Sequence, residues 1–232
     1  MRKASIVKKL IILVLILALP GFLYYLLTAK GKNRYKPLPF YGPKEIAKTS
    51  HKFHGKIIPD TIYHQLNDFV LYNQDGKEVS FKNYDKKIIV ASFFYTHCPT
   101  VCSTINKNIS DLAGMYRKNK MVNFISITVD PERDTSPVLK KYAGQFESKN
   151  KWLFLTGDTT TIYNLARKGF LVDALKADDD NFIYSDKLVL IDAERRIRGY
   201  YSGTSVTDLT RLNDEIKVQI AEELRKVDKA LY

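Results

Sequence analysis

An unbroken apolar run from Leu10 to Leu27, eighteen residues without a charge, lies near the start of the chain. As a helix rising about 1.5 Å per residue it comes close to the roughly 30 Å of a hydrocarbon core, which predicts a single transmembrane helix. A cleaved leader would carry a shorter apolar stretch ending in an A-x-A pattern. Here Ile16 and Leu27 occupy the −3 positions relative to Ala18 and Ala29, so retention as a signal anchor is expected. From Gly31 to about Pro59 the pattern dissolves. Pro37, Pro39, Gly42, Pro43 and Gly55 punctuate a polar stretch with no sustained apolar period, read as a tether.

Order returns at Asp68–Phe81, two extended runs around Asp75-Gly76 that read as a β-hairpin. Lys87–Tyr95 is continuously apolar and rich in β-branched and aromatic residues, as a strand buried on both faces would be. Ile105, Ile109, Leu112 and Tyr116 then recur at helical spacing before a second such strand, Val122–Val129, so a parallel β-α-β crossover is expected. Ser136-Pro137, as N-cap and first helical residue, announces a helix through Leu139, Tyr142 and Ala143, and Trp152–Thr156 supplies a third parallel strand. Thr161–Lys168 reads as helix, and Lys187–Asp192 and Ile197–Tyr201 as strands about a charged turn. Ser205-x-x-Asp208 resembles a capping box ahead of a last helix with Leu209, Leu212, Ile216, Ile220 and Leu224 on one face. The predicted fold is α/β, a thioredoxin-like domain with an N-terminal β-hairpin, preceded by a single transmembrane helix. Its segments are a cytoplasmic tail (1–9), the anchor (10–27), a linker (28–60) and the domain (61–232).

Composition changes little in this picture: 45% hydrophobic and 27% charged residues in 232 positions fit one ordinary domain with an appendage. The net charge of +12 would suggest nucleic acid if it were spread over a domain. Eight of those charges fall within residues 1–36, which contain no Asp or Glu, so the excess brackets the apolar run and argues against nucleic-acid binding. Arg2, Lys3, Lys8 and Lys9 crowd the tail and favour a cytoplasmic N-terminus, with everything after residue 30 on the extracytoplasmic side of a bacterial inner membrane.

That side is oxidising, and the chain has two cysteines, four apart: Cys98-Pro-Thr-Val-Cys102. So small a loop stabilises a fold little in the chain-entropy model, which weakens the reading of a purely structural staple. The pair sits where a buried strand hands over to a helix, where backbone N–H groups and the helix dipole favour thiolate. The spacing puts both sulfurs on one side of the first turn with Cα atoms near 6 Å apart, compatible with a disulfide or with a shared soft metal such as Cu(I) or Zn(II). His51, His54 and His64 read as solvated residues in or just after the tether.

The segments Ser92–Cys102, Ser126–Pro137, Trp152–Gly157, Leu188–Asp192 and Ile197–Tyr201 together resemble the successive motifs of the Sco/SenC family. The likeness covers roughly residues 66 to 226, and the joining of CPTVC to V-D-P-E-R-D-T is its specific element. The resemblance implies a thioredoxin fold, a membrane anchor and a role in delivering copper, Cu(I) or Cu(II), to the copper-bearing subunit of cytochrome c oxidase, or in reducing its cysteines. Other copper or thiol-redox proteins are implied as further partners.

The resemblance also implies a distal histidine completing a copper site with Cys98 and Cys102, and that position aligns with Tyr184. A phenol is a poor ligand for soft Cu(I), so Tyr184 is expected to be a packed aromatic. His97 is the remaining candidate for third ligand, its other reading being an exposed residue that raises the thiolate population. Asp130 and Asp134 match acidic motif positions and either shape the site or form turns. Three functions stay open: a copper-binding assembly factor, a thiol–disulfide oxidoreductase without copper, and a scaffold with a permanent disulfide.

Overall fold

The computed structural model describes residues 2–29, 37–53, 55–98, 101–146, 151–176 and 182–230. Two units divide at residue 36. The first consists of helix α1 (Arg2–Ala29), whose described apolar side chains, from Ile12 to Tyr25, are exposed around the helix. Among the described residues no helix is long and apolar enough to cross a membrane, so the transmembrane helix expected over 10–27 is not shown. The described side chains in α1's apolar stretch stop short of that eighteen-residue run, and Pro20, which has no N–H to donate, lies inside it.

The second unit, 37–232, is ordered by strands that have no wet face. Ile88–Phe94 (β5) is buried at every position, and Val122–Thr128 (β6) nearly so. With Trp152–Thr156 (β7) they form three parallel strands at the centre of a seven-stranded sheet. Lys187–Ile191 (β10) runs antiparallel to β5 and pairs with Ile197–Ser202 (β11). Beyond β7 lie Leu71–Asn73 (β3) and Glu78–Val79 (β4), the predicted hairpin, giving the order β11-β10-β5-β6-β7-β3-β4.

Alternation along β5 divides the core. Ile89, Ala91 and Phe93 face a layer containing Ile162, Leu165 and Phe170, from α4 (Thr159–Asn164) and the wide π-type turn Leu165–Phe170 that continues it. Ile88, Val90 and Phe94 face α2 (Val101–Met115), α3 (Ser136–Ala143) and α5 (Val206–Ala230). Ser92 and Ser126 hydrogen-bond each other across this second face at 2.7 Å, and Trp152 Nε1 donates to Ser126 at 2.8 Å, so these three buried side chains are partnered.

Several elements depart from the sequence reading. The stretch read as irregular tether carries a two-stranded antiparallel ribbon, β1 (Lys44–Phe53) and β2 (Lys56–Tyr63), with Ile46, Ile57 and Ile62 exposed. His64 is half-buried and bonds the Gly169 carbonyl at 2.7 Å, while His51 pairs with Asp60; His54 lies outside the described residues. A second small hairpin, β8 (Ala174–Lys176) and β9 (Phe182–Tyr184), was unforeseen. The α3 N-cap is Thr135, one residue before the expected Ser136. On α5 the Ser205 hydroxyl accepts from Asp208 N at 3.3 Å, but the Asp208 carboxylate turns to Ser202 N, so half of the capping box forms.

The segment after residue 36 is clasped by a buried arginine. Arg198, 1% exposed, donates to the carbonyls of Leu38 at 2.6 Å and Pro39 at 3.1 Å. It pairs with Asp192 and Glu222 and lies 4.2 Å from the Phe40 ring centroid, so the buried cation is fully compensated.

Candidate functional site

Strand β5 delivers the site. After Phe94 come Tyr95, Thr96, His97 and Cys98, and α2 begins at Val101; Pro99 and Thr100 lie outside the described residues. Cys98 N donates to Tyr95 O at 3.3 Å, turning the chain at the strand end. The two cysteines are joined as a disulfide with Cα atoms 5.9 Å apart. Cys102 is 1% exposed, packed among α2's core side chains, whereas Cys98 is half-buried. An external group therefore meets Cys98 first.

The turn is held from below by Asp134, a fully buried carboxylate. It accepts from Thr96 N at 3.0 Å, from the Thr96 hydroxyl and from the Thr128 hydroxyl, tying the end of β5 to the end of β6. Thr128 in turn accepts from Asp130 N at 3.0 Å, and Asp130 pairs with Arg133. The acidic motif thus forms the floor of the cysteine turn.

Tyr184, at the end of β9, comes over the disulfide. Its phenol oxygen is 3.1 Å from Cys98 Sγ and 2.9 Å from Cys102 Sγ. A disulfide has no S–H, so the O–H is the donor and has two acceptors within reach. Burial, reinforced by Tyr95, Asp186 and Tyr142, pushes this phenol up to about 12, so it stays neutral. Tyr95 packs edge-on against Tyr184 with centroids 5.6 Å apart, and Tyr95 and Phe182 are 4.9 Å apart, fixing the ring. Tyr95 was not singled out from sequence; its place as the last apolar residue of a buried strand, just before the turn, was the available signal.

His97 is exposed, and its Nδ1 lies 3.1 Å from the Thr96 hydroxyl. Among the described residues no three His, Cys, Asp or Glu side chains are grouped to hold a metal ion. The structure brings together Cys98, Cys102 and Tyr184, with His97 exposed beside Cys98. One turn below Cys102, buried Asn106 donates to Tyr142 Oη at 2.7 Å, extending a polar link from α2 to α3 behind the site.

The SCO1/SenC family model matches residues 61–220. The SCO1 protein homolog of Bacillus subtilis (strain 168) is 30% identical over 167 residues, covering 70% of this chain and 86% of the relative. Among solved structures, BsSco, described as a member of the Sco family of cytochrome c oxidase assembly proteins with an identified disulfide switch, superposes with a TM-score of 0.60 at 30% identity, covering 66% of this chain and 92% of that one. Copper-bound Arabidopsis thaliana ScoI gives a TM-score of 0.58 at 29% identity, covering 69% of this chain and 98% of that one. A thioredoxin-like sheet that ends in a CPTVC turn and matches the family over most of its length makes this chain a member of the SCO1/SenC family.

Proposed function

We propose that the chain is a membrane-anchored assembly factor for the copper centre of cytochrome c oxidase, acting through Cys98 and Cys102 as copper chaperone, thiol–disulfide reductant or both. The observation that carries this reading is the disulfide at the strand–helix turn, with Cys98 reachable and Cys102 held in the core. Relatives with an identified disulfide switch and with bound copper support both halves of it. Reduced, the pair offers two thiolates, donors suited to Cu(I). The copper-bearing oxidase subunit would receive metal or electrons, and the coordination would be completed by His97 or by a ligand that this partner donates.

The anchor is residues 10–27, and the domain lies on the extracytoplasmic side of the inner membrane. Support comes from the uncharged run itself and from a helix whose described apolar side chains from Ile12 to Tyr25 are exposed around it. Full-length protein should resist carbonate extraction and yield its domain to protease added outside. Release by carbonate would remove the anchor from the proposal.

A second reading, thiol–disulfide exchange without copper, is favoured by Tyr184, whose neutral phenol stands over both sulfurs. Competition of the reduced protein against a Cu(I) chelator, run beside a measurement of its thiol–disulfide potential, separates the two. Tight copper binding supports the chaperone, a poised couple with weak copper binding supports the oxidoreductase, and a disulfide that resists dithiothreitol with no copper binding leaves only a scaffold.

A further inference from the structure

The geometry points to Tyr184 as a catalytic hydrogen-bond donor in thiol–disulfide exchange, stabilising the thiolate of Cys102 as that sulfur leaves the Cys98–Cys102 bond. This rests on the reading of the pair as redox-active and assigns a role that a packed aromatic would not have.

Access fixes the direction of the step. Cys98 is half-buried and Cys102 is 1% exposed, so an incoming thiolate, from a small thiol or a partner cysteine, reaches Cys98 Sγ. The new bond joins the incoming sulfur to Cys98, the Cys98–Cys102 bond breaks, and its electron pair stays on Cys102. A second thiolate then attacks the incoming sulfur, and Cys98 departs as thiolate. Two thiols have become one external disulfide, and the protein disulfide has become a dithiol. In reverse, the dithiol reduces a partner's disulfide, with Cys102 attacking Cys98 to release the partner.

The difficult moment is the charge on Cys102. Cys102 is 1% exposed and belongs to the apolar cluster that includes Val90, Phe94 and Ile105, so water does not solvate its sulfur, and a buried anion without a donor is costly. The phenol oxygen of Tyr184 stands 2.9 Å away. It is also 3.1 Å from Cys98 Sγ, so the same O–H can follow the charge from one sulfur to the other as the second step proceeds. The ring is held for this by Tyr95 edge-on at 5.6 Å. The Asp134 carboxylate is engaged by Thr96 and Thr128.

The test is Tyr184→Phe, which keeps the ring and deletes the donor, with Tyr184→Gln as a partner variant that restores an N–H. A hydrogen bond to a charged group is worth at least about tenfold in an equilibrium. Reduction of the Phe variant by dithiothreitol should slow at least about tenfold, and its potential should move by about 30 mV toward more negative values, because the thiolate form loses its donor. The Gln variant should recover part of both, and thermal melting of the oxidised Phe variant should match wild type. Unchanged rate and potential in a folded Phe variant would overturn the role of Tyr184 while leaving exchange by the cysteines intact. If the wild-type disulfide itself resisted dithiothreitol, the redox reading would fall, and the catalytic role with it.

Discussion

Replacing Asp134 by alanine should be among the most damaging single changes in the domain. The carboxylate is fully buried and accepts from Thr96 N, the Thr96 hydroxyl and the Thr128 hydroxyl. Hydrogen bonds to a charged acceptor contribute about 1.5–3 kcal/mol each, but the losses differ in kind. Thr96 is half-buried and its donors can turn to water, whereas Thr128 is fully buried and its hydroxyl would be stranded. Adding a full penalty for Thr128 to a partial one for each Thr96 donor gives about 3–5 kcal/mol, or on the order of 10 °C in melting temperature for a unit of this size. Asp134→Asn keeps one accepting oxygen and the shape, and should cost about 1–2 kcal/mol. Urea unfolding followed by the fluorescence of Trp152, the single tryptophan, measures both. A loss below about 1 kcal/mol for the alanine variant would refute the argument that this carboxylate ties β5 to β6.

Tyr184→His should raise Cu(I) affinity at least about tenfold in chelator competition, because an imidazole nitrogen suits copper better than a neutral phenol; no change would mean that the position cannot reach a metal held by both sulfurs. Arg198→Met leaves the Asp192 and Glu222 carboxylates facing a lost cation and frees the Leu38 and Pro39 carbonyls, so about 3–5 kcal/mol of stability should go and protease should nick near residue 38; intact resistance at wild-type stability would refute the clasp. Tyr184, Tyr116 and Tyr200 are each pushed up to about 12 by burial, so the folded state holds these protons more tightly than the unfolded chain does. That stability is fully present below about pH 10 and is lost as pH climbs through about 12, so these three rings, followed individually by NMR, should ionise together with unfolding; ionisation of any of the three near 10 with native circular dichroism would contradict it.

The central strands were legible because burial on both faces selects short, largely apolar runs rich in β-branched and aromatic residues, as in Lys87–Tyr95 and Val122–Val129. The ribbon β1–β2 was not, since its exposed faces leave no period to detect. Helix α5 shows how tertiary contacts override pattern: Leu224 is 51% exposed, while Gln219 and Glu223, which read as polar surface, are buried and bonded to each other at 2.7 Å. At the site, spacing alone predicted a Cα separation near the observed 5.9 Å. Tyr184 entered only through resemblance, because nothing local in Phe182–Tyr184 tells of sulfurs more than eighty residues away in sequence. The acidic residues were ambiguous between site and turn, and the three donors around Asp134 could be counted only once β5 and β6 lay side by side.

The arginine clasp also decides which end of the sheet Leu38 and Pro39 are held against. Arg198 sits on β11 next to Gly199, which pairs with Leu190, which pairs with Val90 near the start of β5; the cysteines follow the opposite end of that strand. At about 3.3 Å per residue, the stretch from Val90 to Phe94 separates the two levels by roughly 13 Å before the turn begins. Leu38 and Pro39 are therefore held level with the start of β5, at the edge of the sheet away from the end that carries the disulfide.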